Sequence, residues 1–524
     1  MALGKSDKQR RFDDPVAVLG DRLRDGSIYK LLAEHGHELF GDDYFADCYS
    51  GARDGRPTVP ARTLATVMIL QAFEGLSDRE ATDRLGFDLR WQAAAGVAIG
   101  AEAFHPTVLV GARNRLRASL RPRRLFEDTL VVAKATGALG QRARVLDSTP
   151  IYDAVATEDT VTQLRAVIRK LLVVLDQNAD PLAAEVRASL LRDDEYATPG
   201  KPPCDWDDRS AREALVDALV KDANAVLDVL SGHELEGATK TAAELVALVA
   251  GQDVAEGEDG IFRIVRGVAK DRVISTVDVE ARHGHKSKNR HFDGYKAHIS
   301  IDPDSELIDE IVATPANSHD AQVAEALLES HVDDEDKPTV LGDSAYASGQ
   351  TRQELSEQGF TLMAKCPPIR NATGGFTKER FVIDLEGRTV TCPAGHPAAI
   401  TPRGDGSGLA RFAPHCGSCP LRAACTTSRA GRSVSINGHE AILQHARAEQ
   451  ADPEWIALYR ANRPLVERKI AHLVRRGWGG RQGRVRGLRR IATDLDTRAG
   501  AINWARLATL GLSFGPSGWV LAGS

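Results

Sequence analysis

No stretch of this 524-residue chain reaches the apolar length of a membrane span. The first residues, Met1 to Lys8, hold no apolar run of the kind a secretory leader needs, so the expected compartment is the cytoplasm. Net positive charge is missing as well. The 67 Lys and Arg stand against 73 Asp and Glu, which leaves −6, and overall charge therefore gives no sign of a nucleic-acid partner. Local charge is what a phosphate backbone meets, and it must be read stretch by stretch. Cysteine is sparse: of seven in all, four lie between residues 392 and 425, a clustering that in a cytosolic chain favours a metal over disulfides. The remainder, 42% apolar and 27% charged, is ordinary globular composition with length for several domains.

Two short stretches organise the reading. Thr339-Val-Leu-Gly-Asp343-Ser-Ala-Tyr346 reads as a buried strand that ends at Gly342 and presents a carboxylate at its tip. Arg144-Val-Leu-Asp147-Ser-Thr-Pro150 reads the same way. Alone, each Asp is equally a turn or cap residue. As a pair at strand ends they could share divalent cations for phosphoryl chemistry.

Residues 1–60 are mixed and polar, with Phe40, Tyr44, Phe45 and Tyr49 as local anchors. From Val59-Pro60 onward the pattern is strongly helical, and 1–125 is expected to form a helical N-terminal DNA-binding domain of short helices with tight turns. Gly75 is a natural stop, and Ser77-Asp-Arg-Glu80 is a capping-box start. Such geometry suits helix-turn-helix DNA reading. The last helix, 107–120, carries Arg113, Arg115 and Arg117, either DNA contacts or a solvated basic face. Residues 157–261 form a helical insertion with Val161, Leu164, Ile168 and Leu171 at helical spacing. Strand candidates follow at Phe262–Val265 and Arg272–Thr276. Then come a basic loop from 281, a hairpin built from Tyr295–Ile301 and Leu307–Val312, a helix over 317–331, and a strand over 360–366. The predicted core, 140–156 with 262–380 and completed by 441–512, is thus a mixed α/β sheet with helices around it. His283, His285, His291 and His298 read as solvated or phosphate-contacting residues, since their spacing makes no ligand set.

In the stretch 381–440, Cys416-Gly-Ser-Cys419 forms one half of a metal site that Cys392 and Cys425 can complete. Structural Zn2+, an iron–sulfur cluster and four free thiols all remain open. Residues 460–490 are strongly basic, with Arg463, Arg475, Arg476, Arg481, Arg484 and Arg486 among them, and Glu467 is the lone acid there. It is either a metal ligand beside a phosphate path or a helix ion pair with Arg463, one turn before.

These passages together resemble bacterial insertion-sequence transposases of the DDE type, from about residue 40 to about 512. Leu76-Ser-Asp-Arg-Glu-Ala81 and Leu89-Arg-Trp91 resemble the family's helical N-terminal domain. Leu146-Asp147-Ser-Thr149 and Gly294-Tyr-Lys-Ala-His298 resemble its first two catalytic strands. Gly342-Asp343-Ser-Ala-Tyr346 resembles the strand of the second acid, and Arg463-Pro-Leu-Val-Glu467 the helix of the third. The resemblance implies a ribonuclease H-like core and Asp147, Asp343 and Glu467 holding two Mg2+ ions. It implies DNA cleavage and strand transfer at terminal inverted repeats, on double-stranded DNA. Lys296 and the basic residues above would touch that DNA, and the DNA complex would contain a homodimer or larger assembly, nucleoid-associated. The chain also departs from the pattern. Many relatives carry Tyr three before the Arg and Lys seven after the Glu, where this chain has Arg460, with Tyr459 one place off, and Val474, followed by Arg475 and Arg476. Residues 105–112 lack a Ser/Thr-rich turn before the basic helix. The rival readings are a transposase-derived DNA-binding protein that no longer cuts, and a metal-dependent nuclease without strand transfer.

Overall fold

A computed structural model describes residues 4–5, 14–49, 58–267, 269–287, 289–371, 374–475 and 480–522. Its centre is a six-stranded mixed sheet of β1 (Ala143–Tyr152), β2 (Arg282–Ser287), β3 (Arg290–Ile301), β4 (Ile308–Pro315), β5 (Thr339–Gly342) and β6 (Leu362–Ala364). β1 lies in the middle, antiparallel to β3 on one edge and parallel to β5 on the other. β6 runs parallel to β5 outside it. β4 pairs with Tyr295–Ile301 of β3, while β2 pairs with the first residues of β3, from Arg290 to Gly294.

Side chains along β1 alternate between two cores. Val145 packs with Tyr459, Val466 and Leu495 on one face. Leu146 packs with Val340, Tyr346 and Leu355 on the other. Asp147 therefore shares the face of Val145, and Ser148 that of Leu146. Gly294 lets β3 cross tightly over the end of β1. Its φ is +130°, and a Cβ there would stand 2.5 Å from the carbonyl of Ile151.

β1 is longer than the sequence suggests. A strand ending at Asp147 was expected, but pairing with β3 continues through Tyr152↔Gly294. Pro150 is tolerated because β5 has already stopped on the other edge, so no ladder bond is lost there. The basic loop expected from 281 is instead the β2–β3 hairpin. Arg272–Thr276 is not a strand. Side chains satisfy its Val273, whose N–H donates to Gln252 Oε1 (2.9 Å) and whose carbonyl accepts from Gln163 Nε2 (2.8 Å), while the Ile274 carbonyl accepts from the Glu158 N–H (2.9 Å). Phe262–Ile264 pairs only with Val254–Glu256, apart from the main sheet. The helix expected over 317–331 is one α-turn segment, Ala324–Leu328, between 3-10 turns.

The helices of 15–135 form as expected, with the Ser77–Glu80 capping box and Gly75 in the left-handed conformation. They do not close a core of their own. Leu32, Phe40, Leu64, Met68 and Trp91 pack with Trp504 and Leu507 of the closing helix, Leu488–Thr509. The insertion helices Thr160–Gln177, Leu182–Ser189, Arg209–Ser231 and Gly237–Gln252 do close a separate core around Leu171, Leu219 and Val246. Residues 382–436 form a five-stranded antiparallel meander. Among the described residues, no helix is long and apolar enough to cross a membrane.

Arg123 links three of these parts. Its guanidinium donates to Glu310 on β4 and, at 3.1 Å, to Asp496 on the closing helix. Burial pushes the Asp496 carboxyl up to about 7, with Arg123 opposing and Glu310 adding to the rise. A folded pKa above the unfolded one near 3.8 means the native state binds the extra proton. This contribution is present below pH 4 and lost as pH rises through about 7. Thermal melts from pH 4 to pH 8 should therefore show a declining component in the wild type that Asp496→Asn, which holds no titrating proton, does not show.

Candidate active site

The parallel register of β1 and β5 builds the site. Their last paired position is Val145↔Leu341. Carried on two residues, the same register sets Asp147 beside Asp343 on one face, with neighbouring strands about 4.8 Å apart. Asp343 is fixed as the chain leaves β5, its Oδ1 accepting from the Ala345 N–H (2.8 Å). Ser348 then caps the helix Gly349–Glu357. Asp147 accepts from the Ser148 N–H (2.8 Å) and from Arg463 Nη2 (3.0 Å). Burial pushes its carboxyl above the ordinary range, Arg463 pulls against this, and the charge of Asp343 raises it further.

Arg463 comes from the helix Pro453–Leu473, which Asp452 caps. One turn earlier Tyr459, buried, donates from its hydroxyl to the carbonyl of Gly342 (3.1 Å), latching the helix to the end of β5. The one-place shift from the family pattern thus keeps Tyr459 on the Arg463 face, at spacing i,i+4. Glu467, one turn further, is 69% exposed and stands 4.0 Å from Arg463. It therefore reaches Asp147 only by way of Arg463, on the exposed side of that pair. Among the described residues, no group of three or more His, Cys, Asp or Glu stands at metal-holding spacing. Asp147, raised chiefly by its burial and further by the charge of Asp343 nearby, forms with that second carboxylate a donor pair that fits a hard divalent cation. Arg463 supplies the compensating charge there in the protein alone.

Several of the basic residues singled out by sequence are committed inside the protein. Arg113 binds Asp78 and Gln71, and Arg115 lies over the ring of Tyr49. Arg117 donates to Asn114 and is crowded by Arg113, Arg489 and Arg490, which with burial lower its pKa. Lys296 donates to Asp320 (2.8 Å) and to the Ser318 carbonyl. Arg481 donates to Thr149 (3.0 Å), and the loop 481–483 exchanges backbone bonds with Tyr152. Arg484 donates to the carbonyls of Gly75 and Leu76. Arg475 and Arg486 face solvent; Arg476 lies outside the described residues. Arg475 also lines a cleft of about 380 Å³ with Arg468, Lys469, His472 and Arg506 around Glu306.

His298 is not solvated as expected. It is wholly buried on β3, bonded to Thr314 (2.9 Å), and burial holds its imidazole down to about 4. His283 pairs with Asp293 (2.6 Å) on the β2–β3 hairpin. Cys392, Cys416, Cys419 and Cys425 line one pocket of about 20 Å³, with His396 and His415 stacked beside them. The backbone N–H of Arg432 donates to Cys416 Sγ (3.3 Å). Burial raises the Cys425 thiol, and the other three cysteines add to this against Arg432.

Arg463→Met should leave Asp147 unpaired in its pocket and cost about 1.5–3 kcal/mol in a denaturant melt. Adding Asp147→Asn should restore most of that loss, because the uncompensated charge is gone. Equal losses in the single and double variants would mean that Arg463 acts by packing alone.

No curated protein and no solved structure matches the chain. A family model described as a transposase DDE domain matches residues 270–504, which include β2–β6, Asp343 and Glu467. A second, described as a transposase domain (DUF772), matches residues 18–115, the N-terminal helices. Asp147 lies between the two matches, so its place rests on the sheet register. With both matches in the order the resemblance requires, and Asp147 between them on the strand that pairs with the strand leading to Asp343, the chain belongs to the DDE transposases of insertion sequences.

Proposed function

We propose that the protein cleaves DNA at the terminal inverted repeats of its element and joins the freed ends to target DNA, with Asp147, Asp343 and Glu467 as the acidic triad. The observation carrying this reading is the register that brings Asp147 beside Asp343. The strand order, with an antiparallel hairpin on one side of β1 and two parallel strands on the other, supports a ribonuclease H-like core. Bound Mg2+ would supply Lewis-acid charge and a more acidic bound water at the scissile phosphate. Asp147 and Asp343 would hold it, and a rotation of the exposed Glu467 side chain would bring the third carboxylate in. The exposed Arg475 and Arg486 would lie along the DNA backbone. Each step is an in-line displacement at phosphorus: an oxygen of water, later of the 3′-hydroxyl, bonds phosphorus as the opposite oxygen leaves. Two element ends brought together call for at least a dimer on DNA.

Labelled DNA carrying both element ends should be cut by wild type with Mg2+ and not with EDTA. Asp147→Ala and Glu467→Gln should bind it normally yet cut at least about 1000-fold more slowly, a loss of ~4 kcal/mol of transition-state stabilisation. Full cleavage by Asp147→Ala would end the triad assignment. The exposed position of Glu467 favours one second reading, a DNA-binding relative that no longer cuts. Binding without cleavage by wild type would select it.

The gathered thiols, with a backbone donor on Cys416, fit a tetrahedral Zn2+ in chemistry, though the set is not closed to coordination spacing. Protein purified without chelator should carry one zinc per chain by atomic emission. Cys416→Ser with Cys419→Ser should lose it and become protease-sensitive within 381–440. Zinc-free wild type of normal stability would return the cysteines to free thiols.

A further inference from the structure

Behind Asp147, on the opposite face of the sheet, lies a polar network with no part in the triad. Among the described residues, the outer edge of β1 beyond Val145 has no strand neighbour until the loop at 481–483 meets Tyr152. The segment carrying Asp147 is therefore held by β3 alone, apart from what grips it from the side. Ser148, next in the chain, donates from Oγ to Asp320 Oδ2 (2.7 Å). Asp320 Oδ1 accepts from Lys296 Nζ (2.8 Å) on β3. His298, the cross-strand partner of Ser148, bonds Thr314 through Nε2, while its Nδ1 stands 4.0 Å from the same Asp320 oxygen without a hydrogen-bond partner. The hydroxyl of Tyr346 is also buried without a hydrogen-bond partner, and after burial itself the charge of Asp320 does most to raise its pKa. All four groups stand on the Leu146 face. A half-buried carboxylate and ammonium, with two buried polar atoms that lack partners, thus stand against β1 where the sheet holds it on the β3 edge alone.

We propose that Asp320 is a positioning residue for catalysis, which fixes the Asp147 segment of β1 through the Ser148 hydroxyl. Lys296 orients Asp320 and compensates its charge, so this lysine serves the strand rather than the DNA. The proposal rests on Asp147 being the first catalytic acid. Without the Ser148–Asp320 bond, the β1 segment moves against β5, and the spacing of Asp147 to Asp343 is no longer set. Fixing two ligands against each other is what a shared cation requires.

The test compares wild type, Ser148→Ala, Ser148→Thr, Asp320→Asn and Ser148→Ala/Asp320→Asn. Ser148→Ala removes the hydroxyl and leaves the Lys296–Asp320 pair in place. It should slow Mg2+-dependent cleavage about 10-fold, and Asp320→Asn about 100-fold, with element-end binding unchanged. The Mg2+ concentration for half-maximal rate should rise in both, and calorimetric Mn2+ affinity should fall in parallel. Ser148→Thr, which keeps the hydroxyl, should stay near wild type, and the double variant should be no slower than Asp320→Asn. Variants with lower melting temperatures but wild-type rates and Mn2+ affinity would overturn the proposal and leave a fold-stabilising ion pair. A wild type that cuts no DNA and binds no Mn2+ would instead strike down the transposase reading itself, before the variants are compared.

Discussion

The pairing of β1 on both edges is the constraint from which the rest follows. One edge, shared with β3, runs from Val145 to Tyr152. The other, shared with β5, covers only Ala143 to Val145. The short pairing sets the register that aligns Asp147 with Asp343, and its early end leaves room for both carboxylates. An extra ladder bond beyond Val145 would close the notch in which they sit. The site thus exists because the sheet is incomplete there, and the incompleteness has to be supported by other means. Tyr459 reaching the Gly342 carbonyl and Arg463 reaching Asp147 provide this from the helix above.

The arginines show a related economy. A sequence reading counts them as a basic surface, yet Arg113, Arg123, Arg481 and Arg484 each bind a carboxylate, a hydroxyl or a carbonyl elsewhere in the chain. Arg484 caps the carbonyl end of a helix in the N-terminal region from a loop more than 400 residues later. Such residues hold the N-terminal helices, the sheet and the C-terminal loop together. Arg475 and Arg486, by contrast, face solvent. Counting charge along a chain cannot separate these two uses, because the partners lie far away in sequence.

What was legible in the sequence was local. The capping box at Ser77, the left-handed stop at Gly75 and the turn after Asp343 each depend on a few neighbouring residues, and each formed as expected. The length of β1 was not legible, since it is set by a strand about 150 residues later, past a helical insertion. Arg272–Thr276 has the apolar alternation of a strand but meets glutamines in place of a neighbouring backbone. At the site, the two aspartates were visible as strand-end acids, whereas Asp320 follows Ser318-His319 in what reads as an ordinary helix start. Only the fold places it behind Ser148. Tyr459 was noticed as a misplaced residue, and only the helix geometry shows that one turn from Arg463 serves as well.

The core shared by the first and last helices has a consequence for how the protein is made. Leu64, Met68 and Trp91 emerge early from the ribosome, but Trp504 and Leu507, which complete their packing, emerge about 400 residues later. Until then the N-terminal helices carry exposed apolar faces, while the insertion helices already have a core of their own to close. A nascent chain stopped before residue 500 would therefore hold a folded middle between two unfinished ends.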